Sequence, residues 1–342
     1  MSLQKVENTL KEDELPQDSS DFKAFIITLL QRAKIGPKWL PVFTDVESMK
    51  MFELAFTHSS FDEMNNYELV ELIGDGVVNA SVTAYLREWD PNIISVKYLT
   101  RLKHNITSKK DLALMAEKAG FYPFIKIGAE LYERFAEMTP DFRHGNRDYM
   151  SLLEDCFEAF VGTLKILADS RMNCPAIGFV VGYRFVKSFL QELTISLKYE
   201  DVFDAKTRYK ELCDRRKWEF GSCFRTRELF IDEKGKEIRN PKLSDDTRGP
   251  WEERDARARQ KSSQVSPLVL DGPTGKRRYE TTVMGYPFGS QKKEEGNKLL
   301  LAKLTRPLKT DAENDSCEQA LRILKSDYSI FDIPPNPYHR KN

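Results

Sequence analysis

An all-helical domain over residues 22–200, followed by an α-β-β-β-α domain over residues 201–328, is the architecture this sequence predicts. Three observations lead there. Apolar residues recur at spacings of three and four through most of the first 200 positions, as in helices with one buried face. Near residue 204 the pattern changes to short strand-like runs between turn-forming stretches, closed by one last helical segment. The charge divides at about the same place. Residues 1–200 carry 23 Lys+Arg against 29 Asp+Glu, and residues 201–342 carry 30 against 24, so a formally neutral chain has an acidic half and a basic half. A basic half can hold a polyanion by releasing its counterions, although an excess this small also arises by chance.

The elements follow in order. Residues 1–21, "MSLQKVENTLKEDELPQDSSD", are acidic and lack an apolar stretch, so a disordered leader is expected rather than a secretory or transit segment. Helical spacing then runs through "FKAFIITLLQRA", "MKMFELAFTHSSF", "ELVELIGDGVVNASVTAYLREW", "KKDLALMAEKAGF", "MSLLEDCFEAFVGTLKILAD" and "VVGYRFVKSFLQELTISL". The breakers "IGPKWLP", "WDPN", "FYPF" and "HGNRD" separate them. In the second half, "DAKTRYKELCDRRKW" is a short amphipathic helix with Asp204 as its N-cap. Residues 220–262 are charged and nearly free of aliphatic side chains, which reads as an exposed insertion. Strands are expected at "QVSPLVL", "RRYETTVMG" and "NKLLLAKL", then a helix at "KTDAENDSCEQALRILKS" and a loose tail over 329–342.

Composition narrows the function classes. Hydrophobic residues make up 40% and charged residues 31%, as in a globular protein with a polar surface. No uninterrupted apolar run reaches the ~18 residues of a membrane span, so no membrane role is expected. The five cysteines are scattered and form no CxxC pair, which argues against a zinc site or a disulfide framework. An intracellular protein, cytoplasmic or nuclear, is expected; no targeting segment is recognised.

The chemistry is concentrated in two helices. In "ELVELIGDGVVN", helical geometry places Glu68, Glu71 and Asp75 within ~60° of one another, with Asn79 on the same stripe. Leu69, Val70, Leu72, Ile73 and Val77 fill most of the remaining surface. Gly74 and Gly76 flank Asp75 and permit close approach by a helix or a ligand. In "SLLEDCFEAFVG", Asp155 and Glu158 share a face one turn apart, among Leu152, Leu153, Phe157, Phe160 and Val161. A carboxylate on a single helix is more often solvated or paired at i,i+4, but no Lys or Arg lies between Lys50 and Arg87. If the two helices pack, Glu71, Asp75, Asp155 and Glu158 meet, and a hard divalent cation relieves their repulsion. Mg²⁺ suits such an all-oxygen set, with Mn²⁺ as the alternative, and such a site supports phosphoryl chemistry. His58 reads as a packed structural histidine, and Cys156 and Cys317 as small core residues.

The same segments resemble the ribonuclease III family. Its signature, approximately NERLEFLGDAVL, is similar to "YELVELIGDGVV" at 67–78, and its second acidic block to "LLEDCFEAFVGT" at 152–163. Upstream, "AFTHSSF" at 55–61 resembles the family's ALTHRSY, and the resemblance covers about residues 25–170. It implies a ribonuclease III endonuclease domain in which Glu71, Asp75, Asp155 and Glu158 hold metal. Asp75 and Glu158 are then the catalytic pair, and Glu68 an accessory acid toward RNA or the dimer seam. Tyr67, Leu69, Leu72 and Gly76 depart from the family's usual Asn, Arg, Phe and small residue.

The second half resembles a diverged double-stranded RNA-binding domain. "DAKTRYKEL" is similar to that module's first helix, "DGPTGKRRYETTVMG" to its loop and second strand, and "KTDAENDSCEQAL" to its last helix. The resemblance implies RNA contacts by Glu211 and Lys309, with Gly275 and Thr310 where His and a second Lys are usual. Such a module reads A-form shape rather than sequence. The whole implies an Mg²⁺-dependent endoribonuclease that cuts double-stranded RNA as a homodimer and leaves 5′-phosphate and 3′-hydroxyl ends with short 3′ overhangs. The alternative is a non-catalytic double-stranded RNA-binding or ribosome-associated scaffold of the same fold.

Overall fold

The computed structural model describes residues 19–93, 95–138, 146–231, 237–238, 276–287 and 298–330. The chain divides into two compact units between Ser196 and Leu197.

The first unit is helical. Its helices are α1 (Ser19–Arg32), α2 (Leu40–Phe43), α3 (Val46–Ala55), α4 (Glu68–Trp89), α5 (Val96–Ile106), α6 (Lys109–Lys118), α7 (Ala129–Ala136), α8 (Arg147–Arg171) and α9 (Ile177–Leu190). Side-chain caps start several of them. Asp45 accepts from Ser48 N at 2.8 Å, Ser108 from Asp111 N at 3.3 Å, and Asn146 from Tyr149 N at 3.0 Å. Helix α8 is the axis of the unit and packs against α3, α4, α6 and α9. It buries residues on nearly every side, among them Leu152, Leu153, Phe157, Phe160, Val161 and Leu164. Aromatic rings fill the space around it. Phe52 stacks on Phe160 at 5.5 Å between centroids, and Phe185 lies 4.8 Å from Phe160.

Helix α4 is the one described helix long and apolar enough, by length and composition, to cross a membrane. Its sequence is not an uninterrupted apolar run, because Glu71 and Asp75 fall within it. It packs along α8 and α9 as a core helix of this unit.

The second unit contains α10 (Tyr199–Val202), α11 (Ala205–Arg216), α12 (Phe220–Cys223), β1 (Phe224–Ile231), β2 (Glu237–Ile238), β3 (Lys276–Gly285), β4 (Leu299–Arg306) and α13 (Lys309–Tyr328). The sheet is antiparallel, in the order β2-β1-β3-β4. Helices α11 and α13 pack together, and α13 lies on the sheet. Tyr209, Leu212, Cys213, Trp218, Val283, Cys317, Ala320 and Leu324 form the core between them. Asp204 caps α11 as expected, accepting from Thr207 N at 2.9 Å.

The first strand is not where the sequence reading put it. It is Phe224–Ile231, inside the segment read as an insertion from residue 220. The charged residues that suggested a loop, Arg225, Arg227 and Glu228, are exposed on a strand whose Leu229 is buried. High charge density hid a half-buried strand. "QVSPLVL" and the loop at Gly275 lie outside the described residues. The ends also shift: α1 begins at Ser19 within the expected leader, and Ile330, assigned to the tail, is 4% exposed and donates from its N to Leu324 O at 2.8 Å.

Candidate active site

Helices α4 and α8 touch backbone to backbone, and two glycines make this possible. A Cβ at Gly74 would stand 1.7 Å from the main-chain oxygen of Glu158. A Cβ at Gly162 would stand 2.0 Å from that of Val70. No larger residue fits either position without displacing a helix. Gly76 has open space around it, so only Gly74 of the two flanking glycines serves the helix contact.

The crossing sets Glu71 and Asp75 of α4 beside Asp155 and Glu158 of α8. Glu158 is 7% exposed. Burial pushes its carboxyl up to about 9, and the charges of Asp75, Glu154, Glu71 and Asp155 push the same way. Glu71 is raised to about 7, first by burial, then by Asp155, Glu68 and Glu154, with Lys109 opposing. Asp155 is raised to about 6 by burial, against the pull of Lys109. These three groups therefore sense one another as a single deficit of positive charge. Asp75 is exposed, and Asn79 Nδ2 donates to its Oδ1 at 2.5 Å. Lys103 Nζ in turn donates to Asn79 Oδ1 at 3.0 Å, which fixes the amide's orientation.

Besides Lys103, three contributors have no site role in the sequence reading. Glu154 adds a fifth carboxylate and forms an ion pair with Lys109, at the first turn of α6. Lys109 is the cation that the local sequence around α4 lacked, and it comes from another helix. Tyr67, noted only as a departure from the family's Asn, is 2% exposed. Its hydroxyl lies near Asp155 without full hydrogen-bond geometry. One signal was available for Lys109: "TSKKD" reads as a helix start, with Ser108 as cap.

Other expected residues lie apart from this cluster. Glu68 is exposed at the start of α4, and its charge reaches Glu71 and His58. His58 is half-buried; it packs edge-on to Tyr67 at 5.6 Å, and its Nδ1 lies 2.7 Å from Ser60 Oγ. Leu69 and Leu72 were placed in the apolar cover of α4, but each is 71% exposed. Phe61 and Met64, in the segment just before α4, are exposed as well. In the second unit, Glu211 accepts from Tyr199 Oη at 2.5 Å, and Lys309 stands exposed in the first turn of α13.

Among the described residues, no three acidic, histidine or cysteine side chains already converge tightly enough to enclose one ion. The donor set nevertheless fits a hard divalent cation. It is all oxygen, partly buried and short of positive charge, and Glu71, Asp75, Asp155 and Glu158 are the residues that would hold it.

The same segments match known proteins. Residues 68–167, which span α4 and most of α8, match the family model described as Ribonuclease III domain. The protein of Frog virus 3 (isolate Goorha) named "Putative ribonuclease 3" is 34% identical over 186 residues, covering 54% of this chain and 46% of its own length. The chain thus spans just under half of that relative. The "Putative ribonuclease 3" of Invertebrate iridescent virus 6 is 32% identical over 213 residues, covering 58% of this chain and 68% of the relative. Among solved structures, the nuclease domain of ribonuclease III from Campylobacter jejuni covers 49% of this chain at 21% identity, with a TM-score of 0.36. From the iridescent virus relative, matched over more than two thirds of its length, it follows that this chain belongs to the ribonuclease III family.

Proposed function

We propose that this chain is a metal-dependent endoribonuclease that hydrolyses phosphodiester bonds in double-stranded RNA. The observation that carries the reading is the α4–α8 crossing, which gathers Glu71, Asp75, Asp155 and Glu158 around a common deficit of positive charge. When bound there, Mg²⁺ supplies Lewis acidity toward a phosphoryl oxygen and lowers the pKa of water. The chain's own residues prepare that chemistry. Glu158, nearly buried, is held rigidly by its helix at the Gly74 contact. Asn79 and Lys103 orient the Asp75 carboxylate. Lys109 keeps Asp155 and Glu71 closer to their ionised forms than burial alone would allow. Products with 5′-phosphates, 3′-hydroxyls and short 3′ overhangs are proposed from the family resemblance.

The second unit, with α11 before a four-stranded antiparallel sheet and α13 after it, supports a diverged double-stranded RNA-binding domain. Glu211 and Lys309 are its proposed RNA contacts. One cluster per chain cuts one strand, so a duplex cut on both strands needs two copies. The exposed Phe61, Met64, Leu69 and Leu72 surface supports a homodimer through the first unit.

The test is incubation of a long duplex RNA with the full chain and Mg²⁺, with both ends of the products mapped. The reading predicts short duplexes with 5′-phosphates and 3′ overhangs. Duplex binding without cleavage in either Mg²⁺ or Mn²⁺ would replace it with the non-catalytic scaffold.

A further inference from the structure

The face of the sheet turned away from α13 carries a feature the catalytic reading does not use. Alternation along the strands assigns the faces. Thr226 and Thr281 look toward α13, since Thr226 Oγ1 reaches Glu313 Oε1 at 3.2 Å and lies 3.0 Å from Thr281 Oγ1. Their sequence neighbours Arg225, Arg227, Glu280 and Thr282 therefore point the other way. The register aligns Arg225 with Thr282 and Thr282 with Lys303 across three strands. It aligns Arg227 with Glu280 in the next row. Arg225, Arg227, Glu280, Thr282 and Lys303 line an open polar depression of about 240 Å³.

The charges in this depression do not cancel. Glu280, with a side chain 12% exposed, accepts from Arg227 Nε at 2.6 Å and pairs with Lys303 Nζ at 3.2 Å. One carboxylate thus holds two cations upright over the sheet. Arg225 is exposed and has no ion pair among the described residues. The lining thus carries three cations and one anion. Arg225 and Lys303 stand on strands either side of β3, ~10 Å apart at the backbone, with the Thr282 hydroxyl between them. Fixed guanidinium donors, an ammonium and a hydroxyl around a concave floor suit phosphate oxygens. An apolar or cationic partner would leave these groups uncompensated.

We propose that this open sheet face is a second RNA-contacting surface, in which Arg225, Lys303 and Arg227 bind backbone phosphates and Glu280 positions the latter two. It is separate from Glu211 and Lys309, which lie on the helices. This rests on the reading that the chain holds RNA, and it adds a surface which that reading does not require. Its consequence is a steeper salt dependence than the helices alone would give, because each phosphate neutralised adds roughly 0.7–0.9 to the slope of log affinity against log salt.

The experiment is fluorescence anisotropy of the full chain with a labelled RNA duplex of roughly 20 base pairs, longer than the ~16 that one such domain spans. EDTA prevents cleavage, and the salt is varied from about 50 to 200 mM. The variants are Arg225→Ala/Lys303→Ala, the charge-conserving Arg225→Lys/Lys303→Arg, and Arg322→Ala/Lys325→Ala, which removes two charges from exposed positions late in α13. Each single alanine variant is included, so that a folding defect in the double variant does not decide the result. The proposal predicts a slope lower by about 2 in the sheet-face double variant and by about 1 in each single variant. It predicts wild-type behaviour in the charge-conserving variant and little change in the α13 control. Unchanged slopes in the sheet-face variants, or an equal fall in the control, overturn the proposal and leave the enzyme reading intact. If the wild type binds no duplex, both fall.

Discussion

The main-chain oxygen of Glu158 occupies the space that a side chain at Gly74 would need, 1.7 Å from where its Cβ would be. The residue most deeply buried among the four acids is thus fixed by the tightest contact between the two helices. Gly74→Ala is predicted to destabilise the first unit by about 3 kcal/mol, since backbone atoms cannot swing aside as a side-chain end can. That corresponds to a fall of roughly 6–12 °C in melting temperature for a unit of this size. Cleavage falls by at least about 100-fold even where the protein stays folded, because the carboxylates separate. Gly76→Ala, in open space, is the matched control and leaves both nearly unchanged. Calorimetry and a cleavage assay on the two variants check this.

Glu158 sets stability against activity. Its raised value means that the ionised form is disfavoured in the folded protein without a cation. Glu158→Gln is therefore predicted to raise the melting temperature in EDTA at pH 8 by a few degrees while abolishing cleavage. A variant that loses both stability and activity would point to a structural role only.

The same cluster predicts the pH dependence. Glu71, Asp155 and Glu158 have folded values of about 7, 6 and 9, all above their unfolded values. Between about pH 4 and 9 the folded state holds more protons than the unfolded state, so these groups make stability fall as pH rises. In EDTA, denaturant midpoints should decline over that range. Millimolar Mg²⁺ should flatten the decline, because it binds the ionised carboxylates. A midpoint that rises with pH in EDTA, or a slope indifferent to Mg²⁺, contradicts the assignment.

Lys109 provides a separate handle. It opposes the upward shifts of both Asp155 and Glu71 and pairs with Glu154. Lys109→Ala should move the acid limb of the pH–rate profile to higher pH, and Lys109→Arg should restore it. A variant that lowers the rate equally at all pH values would show that Lys109 does not act through those carboxylates.

The apolar surface before and along α4 predicts the oligomeric state. Leu69→Glu and Leu72→Glu place charge where each leucine is 71% exposed, so folding of a single chain should be unaffected. Sedimentation equilibrium should find the wild type as a dimer and the double variant as a monomer. Duplex cleavage by the monomer should shift from double-strand cuts to nicks. A wild type that remains monomeric at high concentration rules out this surface as a homodimer seam.

The acidic faces of α4 and α8 were legible in the sequence, and for a physical reason. Carboxylates three and four apart in an apolar helix have few local explanations, and in the fold the charges of Glu71, Asp75 and Asp155 all reach Glu158. What surrounds them was less legible. Lys109 and Lys103 reach the cluster from separate helices, and such contacts depend on packing that no local pattern encodes. Glu154 is one residue, or 100° of helix, away from Asp155, so spacing alone does not put it on the same face. Leu69 and Leu72 belong to the apolar surround of the acidic line, and a helix that is apolar on most sides does not reveal which side is left open. In the second unit, Arg225, Arg227 and Glu228 made β1 look like a loop, although Leu229 and its neighbours carried the strand. The glycine requirement was half legible: Gly74 and Gly76 look alike in sequence, and only the position of α8 separates them.

The central claim is that four carboxylates gathered by the α4–α8 crossing make this chain a metal-dependent nuclease for double-stranded RNA. The most direct measurement is the single-turnover cleavage rate of a duplex RNA as a function of Mg²⁺ concentration. It is made for the wild type and for Glu71→Gln, Asp75→Asn, Asp155→Asn and Glu158→Gln, each first shown to bind the duplex. The prediction is a rate that rises with Mg²⁺ and saturates in the wild type, and falls by at least about 100-fold in each variant with duplex affinity retained. A wild-type rate independent of Mg²⁺ and Mn²⁺, or variants that cut as fast as the wild type, would contradict it.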